Sequence, residues 1–112
     1  MYSKELLKGT LKTIVLKLLS ENEKMYGYEI TQRVKALSDG KILLTEGALY
    51  PTLHKLESEG LLVTETVSIG KRIRKYYSLT NEGVSTAEAK VNEFADFMLT
   101  MRTLLSPNLS LS

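Results

Sequence analysis

The chain contains no cysteine. That absence excludes disulfide frameworks, thiolate metal sites and cysteine nucleophiles together, and it fits a reducing compartment. Tryptophan is also missing, and the single histidine, His54, has no second imidazole or thiolate to complete a zinc-type ligand set. No long apolar run exists: Leu11 to Leu19 is interrupted by Lys12, Thr13 and Lys17. Neither a signal peptide nor a span of about 20 apolar residues is therefore expected, and the chain reads as soluble and cytoplasmic. A phosphate-binding glycine loop, a nucleophile–base constellation and a carboxylate pair with a positioned partner are all lacking, so no enzyme, metal or cofactor is expected.

What is present fits one compact domain: 112 residues, 43% hydrophobic and 25% charged, with a net charge of +2. The charge is unevenly spread. Residues 1–80 hold 13 Lys and Arg against 9 Asp and Glu, whereas residues 81–112 hold 2 against 4. A basic front and a mildly acidic rear are expected to meet different partners.

Periodicity divides the chain further. Leu7, Leu11, Ile14, Val15, Leu18 and Leu19 predict one helix from Ser3, a plausible N-cap, to Ser20. A second helix opens at Tyr26-Gly27-Tyr28, carries Ile30, Val34 and Leu37, and stops at Asp39-Gly40. A third begins at the N-cap Thr45, buries Leu49, Leu53 and Leu56, and ends at Gly60. Pro51 inside it is expected to kink or loosen the first turns. Val, Thr, Tyr and Ile dominate from Leu62 to Leu79, predicting two strands turned at Ser68-Ile69-Gly70-Lys71. Ile73, Tyr77 and Leu79 would face inward, and Arg72, Arg74 and Tyr76 outward. Thr80 caps a last helix, with Leu79 and Val84 placed as a hydrophobic staple. Along it Val84, Ala87, Val91, Phe94, Met98, Met101 and Leu105 form an a/d heptad seam. Ser106-Pro107 ends the helix, and 106–112 is expected to be a disordered tail.

The order helix, helix, helix, hairpin, helix is that of a winged helix-turn-helix, a mainly α (α+β) fold. We therefore expect a DNA-binding unit over 1–80 and a dimerisation helix over 81–105. Four segments narrow the choice: Tyr26-Gly27-Tyr28-Glu29-Ile30, Gly47-Ala48-Leu49-Tyr50-Pro51-Thr52-Leu53, Leu56-Glu57-Ser58-Glu59-Gly60-Leu61, and Arg74-Lys75-Tyr76-Tyr77-Ser78-Leu79-Thr80-Asn81-Glu82-Gly83. Together they resemble the PadR-like family of transcriptional regulators, over nearly the whole chain. The short length and single C-terminal helix are similar to its compact subgroup. That resemblance implies a homodimeric repressor, often encoded beside transporter or stress genes. Some members bind flat aromatic drugs between tryptophans at the dimer centre, a mode that a chain without tryptophan does not inherit.

In such a fold the third helix enters the major groove of double-stranded DNA, where base edges are distinguishable. Its first turns offer Thr45, Glu46, Gly47, Ala48 and Tyr50, followed by His54 and Lys55. Thr45 serves as a cap in either case. Glu46 suits the helix dipole and is a candidate acceptor for a cytosine amino group. Tyr50 stands between a structural and a contact role, and His54 between solvent and DNA. Lys71, Arg72, Arg74 and Lys75 place four cations in five residues, suited to phosphates beside the site. Tyr26 and Tyr28 are each able to bond a phosphate or to lie at the core rim, and the resemblance favours Tyr26 for the contact.

The seam is expected to pack against a twin helix, against helix one of a partner, or both, in a two-fold dimer that reads a palindrome; the alternative is packing on helix one of its own chain. A small hydrophobic or phenolic effector near Phe94, Phe97, Met98 and Met101 is a further expectation. The competing reading is a winged helix that serves as a protein-interaction module without binding DNA.

Overall fold

The computed structural model describes residues 2–106. The helix expected over Ser3–Ser20 is two helices, α1 (Lys4–Lys8) and α2 (Leu11–Glu21). Ser3 caps α1 by accepting the Leu6 N–H at 3.2 Å. The break falls at Gly9-Thr10, where both the Thr10 N–H and its hydroxyl donate to the Leu7 carbonyl at 3.0 Å. Glycine is a poor helix former, and a threonine hydroxyl that competes for a carbonyl weakens the ladder further. The two together overcome the continuous apolar spacing.

A two-residue strand, β1 (Met25–Tyr26), follows, too short for any alternation to announce it. Then come α3 (Gly27–Leu37) and α4 (Glu46–Ser58). α3 ends in a left-handed Asp39, with Gly40 donating to the Lys35 carbonyl at 2.8 Å and Asp39 to that of Ala36 at 3.3 Å. α4 closes the same way: Gly60 donates to Glu57 and Leu61 to Leu56, each at 3.0 Å, which is the Schellman arrangement. α4 runs unbroken through Pro51. Three leucines with no exposed surface, Leu49, Leu53 and Leu56, hold it to the core on either side of the proline.

The hairpin consists of β2 (Leu62–Ile69) and β3 (Arg72–Leu79), and the antiparallel sheet order is β1-β3-β2. Ile69 pairs with Arg72, so the turn is Gly70-Lys71 alone, tighter than the expected loop. Gly70 has φ 61°, as the first position of a type II′ turn requires. Tyr77 is buried and Leu79 half-buried as expected, but Ile73 is 76% exposed. It lies on the inward face of a hairpin that projects past the body it would pack on.

The last helix, α5 (Asn81–Leu105), starts at a junction that explains the Tyr-x-Leu-Thr-x-x-Gly segment. Thr80 accepts the Gly83 N–H at 3.0 Å and donates its hydroxyl to the Gly60 carbonyl at 2.7 Å. Its own N–H donates to the Leu61 carbonyl at 3.0 Å. A Cβ on Gly83 would overlap that same carbonyl. One threonine and one glycine thus fasten α5 to the end of α4.

The core gathers Leu11, Val15, Leu16, Leu18 and Leu19 of α2 with Ile30 and Val34 of α3, the α4 leucines, Met25, Leu61, Leu62, Tyr77 and Ala87. α2 is the central element and buries more than one stripe, so Leu16, off the expected face, is fully enclosed. The seam begins on its own chain: Ala87 belongs to the core, while Val84 is half exposed. Among the described residues no helix is long and apolar enough to cross a membrane. The tail expected over 106–112 lies, beyond Ser106, outside the described residues.

Candidate nucleic-acid interface

α4 presents its N-terminal turns to solvent because of how its other face is held. Thr45 caps it by accepting the Ala48 N–H at 3.2 Å, so its hydroxyl is engaged within the protein. Glu46, Gly47 and Ala48 are exposed, as are Pro51, His54 and Lys55 further along. Pro51 cannot donate to the Gly47 carbonyl four residues before it, which leaves a backbone acceptor without its usual helical partner in the exposed first turn. Thr45, Gly47, Ala48 and Pro51 also border an open groove of about 620 Å³, lined on its other side by Tyr2, Leu7 and Leu11.

Tyr50, open to either role in the sequence, has a structural position. It is half-buried, and its ring and hydroxyl occupy the space that a Cβ on Gly27 would need. Gly27 opens α3, so this contact sets the spacing between the two helices of the helix-turn-helix. His54 remains on the surface, its ring tilted against Tyr50 with centroids 6.4 Å apart. The start of α3 is further fixed by Glu29, whose carboxylate accepts the Tyr26 N–H at 3.3 Å. Tyr28 stays exposed.

The four wing cations separate into three kinds. Lys71 and Arg72 are exposed at the turn and have no ion-pair partner among the described residues. Lys75 points to the α4 side, 3.9 Å from Glu57 and 5.5 Å from the Tyr77 ring centre. Glu57 is shared, since it also accepts the Thr64 hydroxyl at 3.2 Å. Arg74 is half-buried on the opposite face, its guanidinium 4.0 Å from the centre of the Tyr26 ring. A hydrogen bond to Tyr76, then the nearby Tyr26, favour the charged guanidinium and raise its pKa. Tyr26 and Tyr76 meet edge to face at 5.6 Å, and Lys24 covers Tyr76 at 4.9 Å while pairing with Glu65 at 3.0 Å. The Glu65 pair raises the Lys24 pKa. No local pattern announces this ladder, because its members come from three strands and the residue before β1, and β1 lies far from the hairpin in the chain.

The far half of α5 forms a second surface. Phe94 and Met98 line an open groove of about 420 Å³ with Ile14, Leu18, Val34 and Leu37. Phe97 lies at a tilt to Phe94, with centroids 6.2 Å apart, and neither it nor Met101 lines that groove. Met98, Leu104 and Leu105 are largely exposed, Leu105 at 73%. Among the described residues no cluster of His, Asp or Glu is arranged to hold a metal ion.

The transcriptional regulator PadR-like family model matches residues 15–89, which span α2 to the first turns of α5. The transcriptional regulator Rv3488 of Mycobacterium tuberculosis is 35% identical over 80 residues, covering 71% of each chain. A transcriptional regulator from Clostridium thermocellum superposes with a TM-score of 0.84 at 26% identity, over 95% of this chain and 100% of that one. A PadR family regulator from Eggerthella lenta superposes with a TM-score of 0.74 at 36% identity, over 91% and 87% of the two chains. With a winged helix-turn-helix, a long terminal helix and these relatives, the chain belongs to the PadR-like family of transcriptional regulators.

Proposed function

We propose that this regulator is a cytoplasmic repressor that binds a palindromic operator in double-stranded DNA as a two-fold homodimer. Residues 1–80 carry the DNA contacts. Glu46, Gly47, Ala48, His54 and Lys55 face the major groove, with Thr45 closing the helix N-terminus that meets a phosphate. Lys71, Arg72, Arg74 and Lys75 lie along flanking phosphates, where a phosphate competes with Glu57 for Lys75. The single observation that supports this best is the exposed, polar start of α4 in the same domain as a projecting hairpin, whose tip carries two cations without ion-pair partners among the described residues.

Residues 81–105 supply the dimer. Ala87 is already used within the chain, so pairing falls to Phe94, Met98, Met101 and Leu105, with Val84 and Val91 at the margin. A small hydrophobic or phenolic effector would enter beside Phe94 and Met98, where the groove opens, next to Phe97 and Met101. Genome-wide recovery of bound fragments tests the reading. The expected result is a palindrome with half-sites about one helical turn apart. Recovery of no shared motif, together with capture of a protein partner, would favour the interaction-module reading.

A further inference from the structure

Tyr26, Arg74 and Tyr76 share the outer face of the sheet, opposite buried Tyr77. β1 pairs with β3 so that Tyr26 lies beside Tyr76, and Arg74 is the next residue of β3 on that face. The guanidinium sits over the Tyr26 ring at 4.0 Å, and no carboxylate lies within ion-pairing distance among the described residues. Contact with a ring occupies the face of a guanidinium, whose five N–H donors lie along its edges. Lys24, which covers the other aromatic ring, is by contrast paired with Glu65. The two cations of the ladder thus differ: one is ion-paired, and one is held in place by aromatic rings, with the Glu29 carboxylate near enough to favour its charge but not paired with it.

The residue after Tyr26 is Gly27, against which Tyr50 of α4 packs. The ring that carries Arg74 is therefore one peptide unit from the contact that sets α4. We propose that Tyr26 is a positioning residue, holding Arg74 at a fixed place relative to α4 so that its guanidinium takes one DNA phosphate flanking the base-reading helix. This rests on the DNA-binding reading above. It differs from the expectation that the Tyr26 hydroxyl itself meets a phosphate. Lys71 and Arg72, at the tip, add attraction but no fixed register.

The test uses the full chain and a labelled mixed-sequence duplex, because a phosphate contact needs no operator. Binding is measured by anisotropy across a salt series for the wild type, Tyr26→Leu, Tyr26→Phe, Arg74→Ala and the Tyr26→Leu/Arg74→Ala double variant. Arg74→Ala should weaken binding roughly tenfold and make the log–log salt slope shallower by about 0.9, the value for one phosphate. Tyr26→Leu should weaken binding roughly threefold to tenfold, as expected when a cation–π contact is removed. Tyr26→Phe, which keeps the ring, should restore most of that loss, and the double variant should bind no worse than Arg74→Ala. If Tyr26→Phe is as weak as Tyr26→Leu, or if the two losses multiply in full, the positioning role is overturned.

Nuclear magnetic resonance of the free protein keeps the stack testable should a variant fail to fold. The Arg74 side-chain protons should be shifted upfield by the Tyr26 ring, and unshifted protons would overturn the proposal. A wild type that binds no duplex, yet shows that upfield shift, would overturn the DNA-binding reading beneath it while leaving the stack intact.

Discussion

The two halves of α5 carry one heptad spacing and meet opposite surroundings. At its start, Gly83 lies against the Leu61 carbonyl, Thr80 ties the helix to Gly60, and Ala87 is only 2% exposed. At its end Leu104 and Leu105 are mostly exposed, and Met98 is only partly covered. The difference is one of reach. A 25-residue helix is about 37 Å long, and α2, on which it packs, has only 11 residues. Spacing fixes which face of a helix is apolar; the length of the neighbour fixes how much of that face is covered. The remainder is left for another surface, and contiguous exposed apolar surface on a small protein marks an interaction site.

The sharpest way to break this contrast is to delete one leucine from each region. Leu53→Ala, in the closed core, should cost about 2–5 kcal/mol of stability, whereas Leu104→Ala should stay within about 0.5 kcal/mol for the monomer. Urea unfolding at low protein concentration measures both, and equal losses would show that the far half is folded onto the body. Gly83→Ala comes next, at about 1–3 kcal/mol, because the new methyl must displace the Leu61 carbonyl or α5 itself. The double substitution Met98→Lys/Leu105→Lys should change monomer stability by no more than about 0.5 kcal/mol while abolishing self-association. Sedimentation at micromolar concentration reads the second effect, and a wild type already monomeric there would exclude the dimer.

The smallest effect concerns the junction between α2 and the end of α4, where Lys12 and Glu59 pair at 2.8 Å. The Lys12 hydrogen bond holds the Glu59 carboxyl below its ordinary pKa. A carboxylate with a depressed folded-state pKa adds stability above its unfolded pKa and loses it as pH falls through the folded one. Replacing Lys12 with Met should therefore lower the urea midpoint slightly at neutral pH, and the difference should fade as pH falls below about 4. Both groups are substantially exposed, so high salt should shrink the effect as well.

Much of this was legible in the chain. The leucine stripe of α4, the caps at Thr45 and Thr80, the stop at Gly60 and the hairpin all follow from local chemistry, and they lie where the sequence places them. The misreadings have physical causes. The Gly9-Thr10 break depends on a hydroxyl competing for one carbonyl, which apolar spacing does not register. β1 is too short to alternate, and Ile73 looks inward until the hairpin proves longer than the body beneath it. The role of Tyr50 turned on Gly27, more than 20 residues away, and the Arg74 stack on a strand pairing invisible in either segment. Contacts between distant segments were the part that local patterns did not contain.

The proposed function turns on the hairpin and α4 acting together on DNA. The most direct measurement is the salt dependence of duplex binding by a variant in which Lys71, Arg72, Arg74 and Lys75 are all alanine, compared with the wild type. With its fold intact by circular dichroism, the variant should bind more weakly and with a slope shallower by about 2–4, at about 0.9 for each phosphate no longer neutralised. Unchanged affinity and unchanged slope would contradict a role for the hairpin in DNA binding.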